Sequence, residues 1–262
     1  MDVVYEDDHM AVVMKPPGPP TYSHGGGRYN VRSALPFALQ PPSKGVADCL
    51  RRPNPVHRLD APTSGLMLCA KTRPALLGLH AAFEDRQVRK TYTAIVLGKP
   101  SSESGLIDAP IHVKNRGHKV IREAQTLYRV VDAASSLRAG TLARLELKPL
   151  TGRTHQLRIH CAHGLGCPIV GDDRYDAKRS RDAALHGRGL FLCATGLDLT
   201  HPISGEPLTI AVPEPSKFTA LMDREQSRFN KLQGLLDHDD DVLVGGAAAA
   251  ASSSSSSAAA SS

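Results

Sequence analysis

The chain has no tryptophan, and its aromatic side chains are five phenylalanines and six tyrosines in 262 residues. Any role that needs a flat ring therefore falls on a few positions. No C-x-x-C pair occurs. The five cysteines (Cys49, Cys69, Cys161, Cys167, Cys193) are odd in number, and three lie inside apolar runs. That pattern excludes a disulfide framework and predicts reduced, mostly buried thiols in an intracellular, reducing compartment. No apolar run approaches the ~20 residues that cross a bilayer, so no membrane partner is expected. The first eight residues include Asp2, Glu6, Asp7 and Asp8. This is unlike a secretory or organellar presequence, and the expected location is cytoplasmic, or organellar should a presequence lie upstream.

Positive charge is abundant. The formal net charge is +6. Residues 237–262 hold four aspartates and no Lys or Arg, leaving 32 positive against 22 negative side chains in residues 1–236, or +10. A basic body favours a polyanionic partner, and each phosphate it neutralised would make binding salt-dependent. A soluble basic surface with no nucleic acid is the plainer alternative.

Taken in order, Val3–Tyr5 and Met10–Lys15 predict a β-hairpin closed by Pro16-Pro17-Gly18. Residues 16–55 are rich in Pro, Gly and Ser and predict loop, with one short helix around 31–39. The triple glycine Gly25-Gly26-Gly27 lacks the Lys-Ser/Thr of a phosphate cradle and predicts a flexible loop. Strands are expected at 65–71, 89–98, 105–111, 120–131, 141–149, 191–199 and 208–212. Pro74 suits a first helical turn, and Leu76, Leu79 and Phe83 follow at helical spacing. A further helix is expected from Thr154, with His155, Arg158 and Ile159 on one face. Strands outnumber helices without alternating with them, so the expected fold is α+β: a largely antiparallel mixed sheet with flanking helices. Residues 1–236, closed by an amphipathic helix over 216–236, form the expected domain. The acidic then Ala/Ser-rich stretch 237–262 cannot supply a core and is expected to be disordered.

Two distant stretches stand out. Pro55-Val56-His57-Arg58-Leu59-Asp60-Ala61-Pro62-Thr63-Ser64-Gly65 sets a carboxylate in a polar loop that runs into an apolar strand. Alone, Asp60 reads as a turn residue bonding its own backbone. About ninety residues on comes Thr151-Gly152-Arg153-Thr154-His155-Gln156-Leu157-Arg158-Ile159-His160. Together they resemble the H-R-L-D-x-x-T-S-G and T-G-R-x-H-Q-L-R signatures of the RluA-type pseudouridine synthases. Lys90-Thr91-Tyr92-Thr93-Ala94-Ile95-Val96-Leu97-Gly98 resembles the K-x-Y-x-A-x-V-x-G strand of the same family. The resemblance runs from about Val3 to Pro215.

The resemblance implies a pseudouridine synthase-like catalytic domain that isomerises uridines of ribosomal or transfer RNA, as a monomer, without metal or organic cofactor. It makes Asp60 the catalytic carboxylate. Burial would raise the Asp60 pKa by up to ~3–5 units, and a guanidinium in contact would lower it by ~1–3. The family pattern supplies that cation from Arg158, which otherwise reads as a solvent-facing helix residue. Tyr92 would stack on the target base and take its C5 proton; otherwise it is a core strand tyrosine. Arg58 matches the arginine that fills the space of the departing base, or plainly contacts a phosphate. Ile159 matches an apolar wall of the base pocket, or is core. His57 and Arg153 join these as RNA contacts, and Gly166–Tyr175 is read as structural support. No S4-like module precedes the motifs, so RNA contacts are expected from this domain.

Two rivals follow from the same residues. His155, His160, Cys161, His163 and Cys167 crowd together, but their spacing fits neither H-E-x-x-H nor paired C-x-x-C, which argues against a metal hydrolase. A non-catalytic RNA-binding protein of the same fold is the other alternative. It has no physical need for Asp60, Tyr92 and Arg158 together.

Overall fold

The computed structural model describes residues 1–23, 29–115, 118–176 and 187–252. The N-terminal hairpin forms as expected from β1 (Val3–Glu6) and β2 (Met10–Lys15). Its turn is set by the Asp7 carboxylate, which accepts from the amides of His9 (2.7 Å) and Met10 (2.8 Å). Helix α1 (Val31–Ala38) begins at a reciprocal cap in which the Asn30 side chain accepts from the Ser33 amide. Such a cap is worth ~1 kcal/mol. Strand β3 (Cys49–Pro55) was not anticipated. Two prolines and two arginines hide it, and it is a strand only because it pairs, with a register shift, along β4 (Ser64–Thr72).

Helix α2 (Arg73–Glu84) carries its proline in the first turn. Strand β5 (Arg89–Leu97) follows, then β6 (Ser104–Asp108), β7 (Ile111–Asn115), β8 (His118–Arg122), β9 (Gln125–Ser136) and β10 (Gly140–Pro149). The single strands expected over 105–111 and 120–131 are each two. Ala109-Pro110 breaks the first, proline having no amide to donate to a ladder. Glu123-Ala124 breaks the second. The inner halves, β7 and β8, form a separate two-stranded ribbon.

The helix expected from Thr154 is α3 (Gln156–Ile159), a single turn continued by a π-helical turn at His160–Gly164. It starts late because His155 is left-handed (φ 56°, ψ 21°), a conformation no helix propagates. Strands β11 (Leu192–Thr200) and β12 (Pro207–Ala211) and helix α4 (Ser216–Ser252) complete the chain.

Ten strands make one sheet, in the order β1-β2-β4-β11-β5-β10-β9-β6, with β3 on β4 and β12 on β11. All pairs are antiparallel except β4 with β11, which run parallel and pair Ser64 with Cys193 and Gly65 with Ala194. Gly65 (φ 117°) permits this approach, since a Cβ there would collide with the Ala194 backbone. The fold is the expected α+β architecture with a mixed, largely antiparallel sheet.

Side chains alternate to two cores with the period of two that strands impose. Ala11, Val13, Met67 and Cys69 face one core, which α1 (Val31, Leu35) and α4 (Phe218, Leu221, Met222) cover. Met10, Val12, Leu66 and Leu68 face the other, covered by α2 (Ala75, Leu79). Every residue of β4 is buried, so the strand that leads out of the Asp60 loop is anchored on both sides.

Over residues 216–235 of α4, whose side chains are described, the buried residues lie in the first ten positions, ending at Glu225. Its helical backbone continues past residue 236, the expected domain boundary, to Ser252. An alanine-rich run has the highest intrinsic helix propensity. Residues 253–262 and Gly25-Gly26-Gly27 lie outside the described residues. Among the described residues no helix is long and apolar enough to cross a membrane.

Candidate active site

The loop from His57 to Ser64 is pinned from beneath by a buried lysine. Lys15, the last residue of β2 and 1% exposed, donates to the carbonyls of Pro16 (2.9 Å), Ala61 (2.9 Å) and Thr63 (2.8 Å). Burial lowers its pKa to about 8, and the nearby Asp60 charge opposes the shift. Thr21 clamps the loop a second time: its hydroxyl donates to the Leu59 carbonyl (3.0 Å) and accepts from the Leu59 amide (3.1 Å). The Thr63 amide closes a turn on the Asp60 carbonyl at 3.1 Å. All these bonds hold backbone, so the Asp60 carboxylate is left to face the cleft.

The facing segment, Thr151 to Ile159, is organised by Gln156. Its carbonyl oxygen accepts from the Thr151 hydroxyl (2.7 Å) and the Arg153 amide (2.9 Å), while its amide donates to the Gln125 carbonyl and Thr126 hydroxyl. Fixing this turn aims Arg158 at Asp60, with Nη1 3.6 Å from Oδ2. The His155 Nε2 lies 3.7 Å from the other carboxylate oxygen.

The closest partner of Arg158 is a different acid. Asp172, read from the sequence only as part of a supporting stretch, takes Nε and Nη2 in a two-pronged pair at 2.7 Å each. Asp172 is fully buried and also accepts from the amides of Arg174 and Tyr175. The pair outweighs the burial that opposes it, so Arg158 is held above and Asp172 below its ordinary pKa. Tyr175 adds a ring 5.2 Å from the guanidinium carbon and a hydroxyl 2.9 Å from His155 Nδ1. The guanidinium is thus locked by Asp172 and offers its remaining nitrogen, Nη1, to Asp60.

Asp60, Arg158 and Tyr92 all line one cleft of about 270 Å³, with Lys90, His155, Leu157 and Leu192. That is at or below the lower end of small-ligand sites and suits one nucleoside. Tyr92 is 8% exposed. Burial, reinforced by the Asp60 charge, pushes its hydroxyl well above the ordinary range, so it keeps its proton at neutral pH. Burial likewise lowers His155, against the pull of Asp60.

The remaining candidates divide. Arg58 is exposed, lines the cleft and makes no ion pair among the described residues. Arg153 lines it too, its Nε donating to the Glu123 carbonyl at 3.0 Å. His57 lines the cleft but is committed inward: its Nε2 accepts from the Leu68 amide (3.0 Å) and its ring packs on Phe83. Burial and then the Lys90 charge lower its pKa to about 3, so it stays neutral. Ile159 does not line the cleft. The left-handed turn at His155 rotates the short helix so that Leu157 does, with Leu192 across from it. Lys15, Asp172, His155 and Tyr175 were missed as site residues.

Both ring nitrogens of His160 are taken, by the Thr126 hydroxyl (2.9 Å) and the Ala109 carbonyl (3.0 Å). Among the described residues no group of three His, Cys, Asp or Glu side chains is placed to hold a metal ion.

A carboxylate, a guanidinium and an aromatic ring thus meet around one small cleft on an α+β scaffold. Comparison with known proteins sharpens this. The family model described as RNA pseudouridylate synthase matches residues 9–163. The chain is 36% identical over 222 residues to the dual-specificity RNA pseudouridine synthase RluA of Escherichia coli (strain K12), covering 80% of this chain and 92% of that one. It is 35% identical over 219 residues to the ribosomal large subunit pseudouridine synthase C of Vibrio vulnificus, covering 80% of this chain. The chain spans about two thirds (65%) of that relative's length. The solved structure titled human RNA pseudouridylate synthase domain containing 4 aligns with a TM-score of 0.66 at 27% identity, over 83% of this chain and 90% of that one. The chain belongs to the RluA-type RNA pseudouridine synthase family.

Proposed function

We propose that this chain converts uridine in ribosomal or transfer RNA to pseudouridine, with Asp60 as the catalytic carboxylate and no cofactor. The observation that carries the reading is the meeting of Asp60 and Arg158, ninety-eight positions apart in sequence, at 3.6 Å inside a cleft that Tyr92 also lines.

The reaction breaks the bond between N1 of uracil and C1′ of ribose, turns the base, and joins C5 to C1′. C5 loses a proton and N1 gains one, so the sum is an isomerisation. An ionised carboxylate beside the sugar supports it either as nucleophile or as base toward a sugar proton. Arg158 sets a fixed positive charge 3.6 Å from that carboxylate. Asp172 and Tyr175 keep the guanidinium where Asp60 can use it. Tyr92 stacks on the base, and its hydroxyl, which holds its own proton, relays the C5 proton by giving one toward N1 as it takes the other. Arg58, exposed at the rim, fills the space that the extruded base leaves or meets a neighbouring phosphate. Arg153 contacts the RNA beside it. We further propose a monomer working in a reducing intracellular compartment, which its five free cysteines suit, four of them buried.

The test is incubation of the purified chain with total RNA from cells lacking the protein, followed by chemical mapping of pseudouridine. New pseudouridines at defined positions are expected. Tight binding with no new pseudouridine would instead mark a non-catalytic RNA-binding protein of the same fold.

A further inference from the structure

The cleft that holds Asp60 borders a second and larger groove of about 920 Å³. The two share Phe83, Lys90, Pro149, Thr151, Gly152 and Arg153 along their common edge. Beyond that edge the groove is lined by Arg86, Arg89 and Lys148, so five cations face it, against the acids Glu84 and Asp198. Arg86 and Arg89 are exposed and make no ion pair among the described residues. Lys148 is half-exposed and pairs with Glu146 on its own strand at 3.2 Å, where Arg129 also reaches the same acid.

The floor is unusual for a charged groove. Leu127 and Leu150, each 42% exposed, lie among these cations with Pro149. At the junction, Lys90 sits 5.6 Å over the Phe83 ring, a basic and an aromatic group at the point where the two hollows meet. Phosphates demand the cations, and flat bases suit the apolar floor between them. A groove with both tracks a single nucleic-acid strand rather than a duplex, whose bases are stacked away from the protein.

Resting on the isomerase reading above, we propose that this groove binds the single-stranded RNA segment on one side of the target uridine. Arg89 and Lys148 would take phosphates, and the Leu127–Leu150 floor would take bases. The groove has more than three times the room of the nucleoside cleft, space for several nucleotides. The substrate class that follows is RNA whose target sits in or beside an unpaired segment, with recognition growing with the length of that segment.

The test uses the full chain and oligouridylates of about three and about nine nucleotides, bound in fluorescence titrations over a range of salt, since single-strand sites of this kind span ~4–16 nucleotides. Wild type should bind the longer probe at least about tenfold more tightly. The double variant Arg89→Ala/Lys148→Ala should lose most of that gain while binding the short probe within about twofold. Its slope of log affinity against log salt should fall by about 0.7 per lost phosphate contact. The control variant Arg51→Ala/Arg52→Ala removes the same charge from exposed positions on β3 that line no part of the groove, and should keep the length dependence. Equal losses in both variants, no loss in the groove variant, or no binding by folded wild type would each overturn the groove assignment. Failure of wild type to form pseudouridine in total RNA is a separate result, which counts against the isomerase reading and leaves the binding measurement intact.

Discussion

The loop from His57 to Ser64 is held by its backbone, and the turn from Thr151 to Ile159 by its side chains. Lys15 and Thr21 between them grip the carbonyls of Leu59, Ala61 and Thr63, residues that flank Asp60, and among the described residues no hydrogen bond is made to the Asp60 carboxylate. Across the cleft, Gln156 folds the turn through the Thr151 hydroxyl and the Arg153 amide, and Asp172 binds the Arg158 side chain directly, with two of its three nitrogens occupied at 2.7 Å. The acid is positioned and left under-satisfied, while the cation is fixed and mostly satisfied. A carboxylate with spare hydrogen-bonding capacity can still bind a sugar. A guanidinium already locked costs little reorganisation when it stabilises that carboxylate, which is how preorganised electrostatics lowers barriers.

The sharpest way to break the contrast is to remove the lock. Asp172→Ala strands a buried guanidinium, and breaking such a pair costs about 3–5 kcal/mol. At about 2–4 °C per kcal/mol for a domain of this size, a loss of roughly 10 °C in Tm is expected by calorimetry. Asp172→Asn keeps the shape and should fold better, yet lose kcat with little change in KM, because it loosens Arg158 and leaves the RNA surface intact.

Lys15→Met attacks the other side. It removes donors from three carbonyls and should lower kcat by about tenfold or more, the scale on which a misplaced catalytic group is felt. The same residue predicts a pH effect. Its folded pKa is about 8 against an ordinary 10.5. Above pH 8 the ammonium becomes an amine, losing one donor and the charge next to Asp60, so kcat should fall there. Between those two values the unfolded chain binds more protons, so this group's contribution to stability rises with pH. The falling rate is therefore not unfolding. In Lys15→Met the alkaline limb near pH 8 should be absent.

Tyr92→Phe keeps the stacking ring and removes the relay. RNA affinity should stay within about twofold, while pseudouridine formation falls by about 10²-fold, a general acid–base contribution. Arg58→Ala is the mildest. At an exposed site it should leave stability within about 0.5 kcal/mol. It should weaken RNA binding and reduce the salt slope by less than one unit.

Much of this was legible in the chain. The alternation in Met10–Lys15, the apolar run after Gly65 and the Pro74 helix each state their structure locally, and three motifs pointed to Asp60, Tyr92 and Arg158, which line one cleft. What was not legible depends on partners far away. β3 is a strand only because β4 is beside it. Asp172 reads as one more polar loop residue until the fold sets it 2.7 Å from Arg158. Lys15 looks like the polar end of a strand, and nothing local says that three carbonyls from residues 16, 61 and 63 will surround it. His155 matched a helical face by spacing, but its left-handed backbone moved Ile159 off the cleft and Leu157 onto it.

The most direct test of the account replaces the under-satisfied acid itself. Asp60→Asn removes one charge and keeps the loop, since Lys15 and Thr21 hold backbone. RNA affinity and pseudouridine yield should be measured on the same preparation. Affinity within about threefold of wild type with no detectable product is the expected result. Product formed at more than about a hundredth of the wild-type rate, less than the loss expected for an essential group, would contradict it.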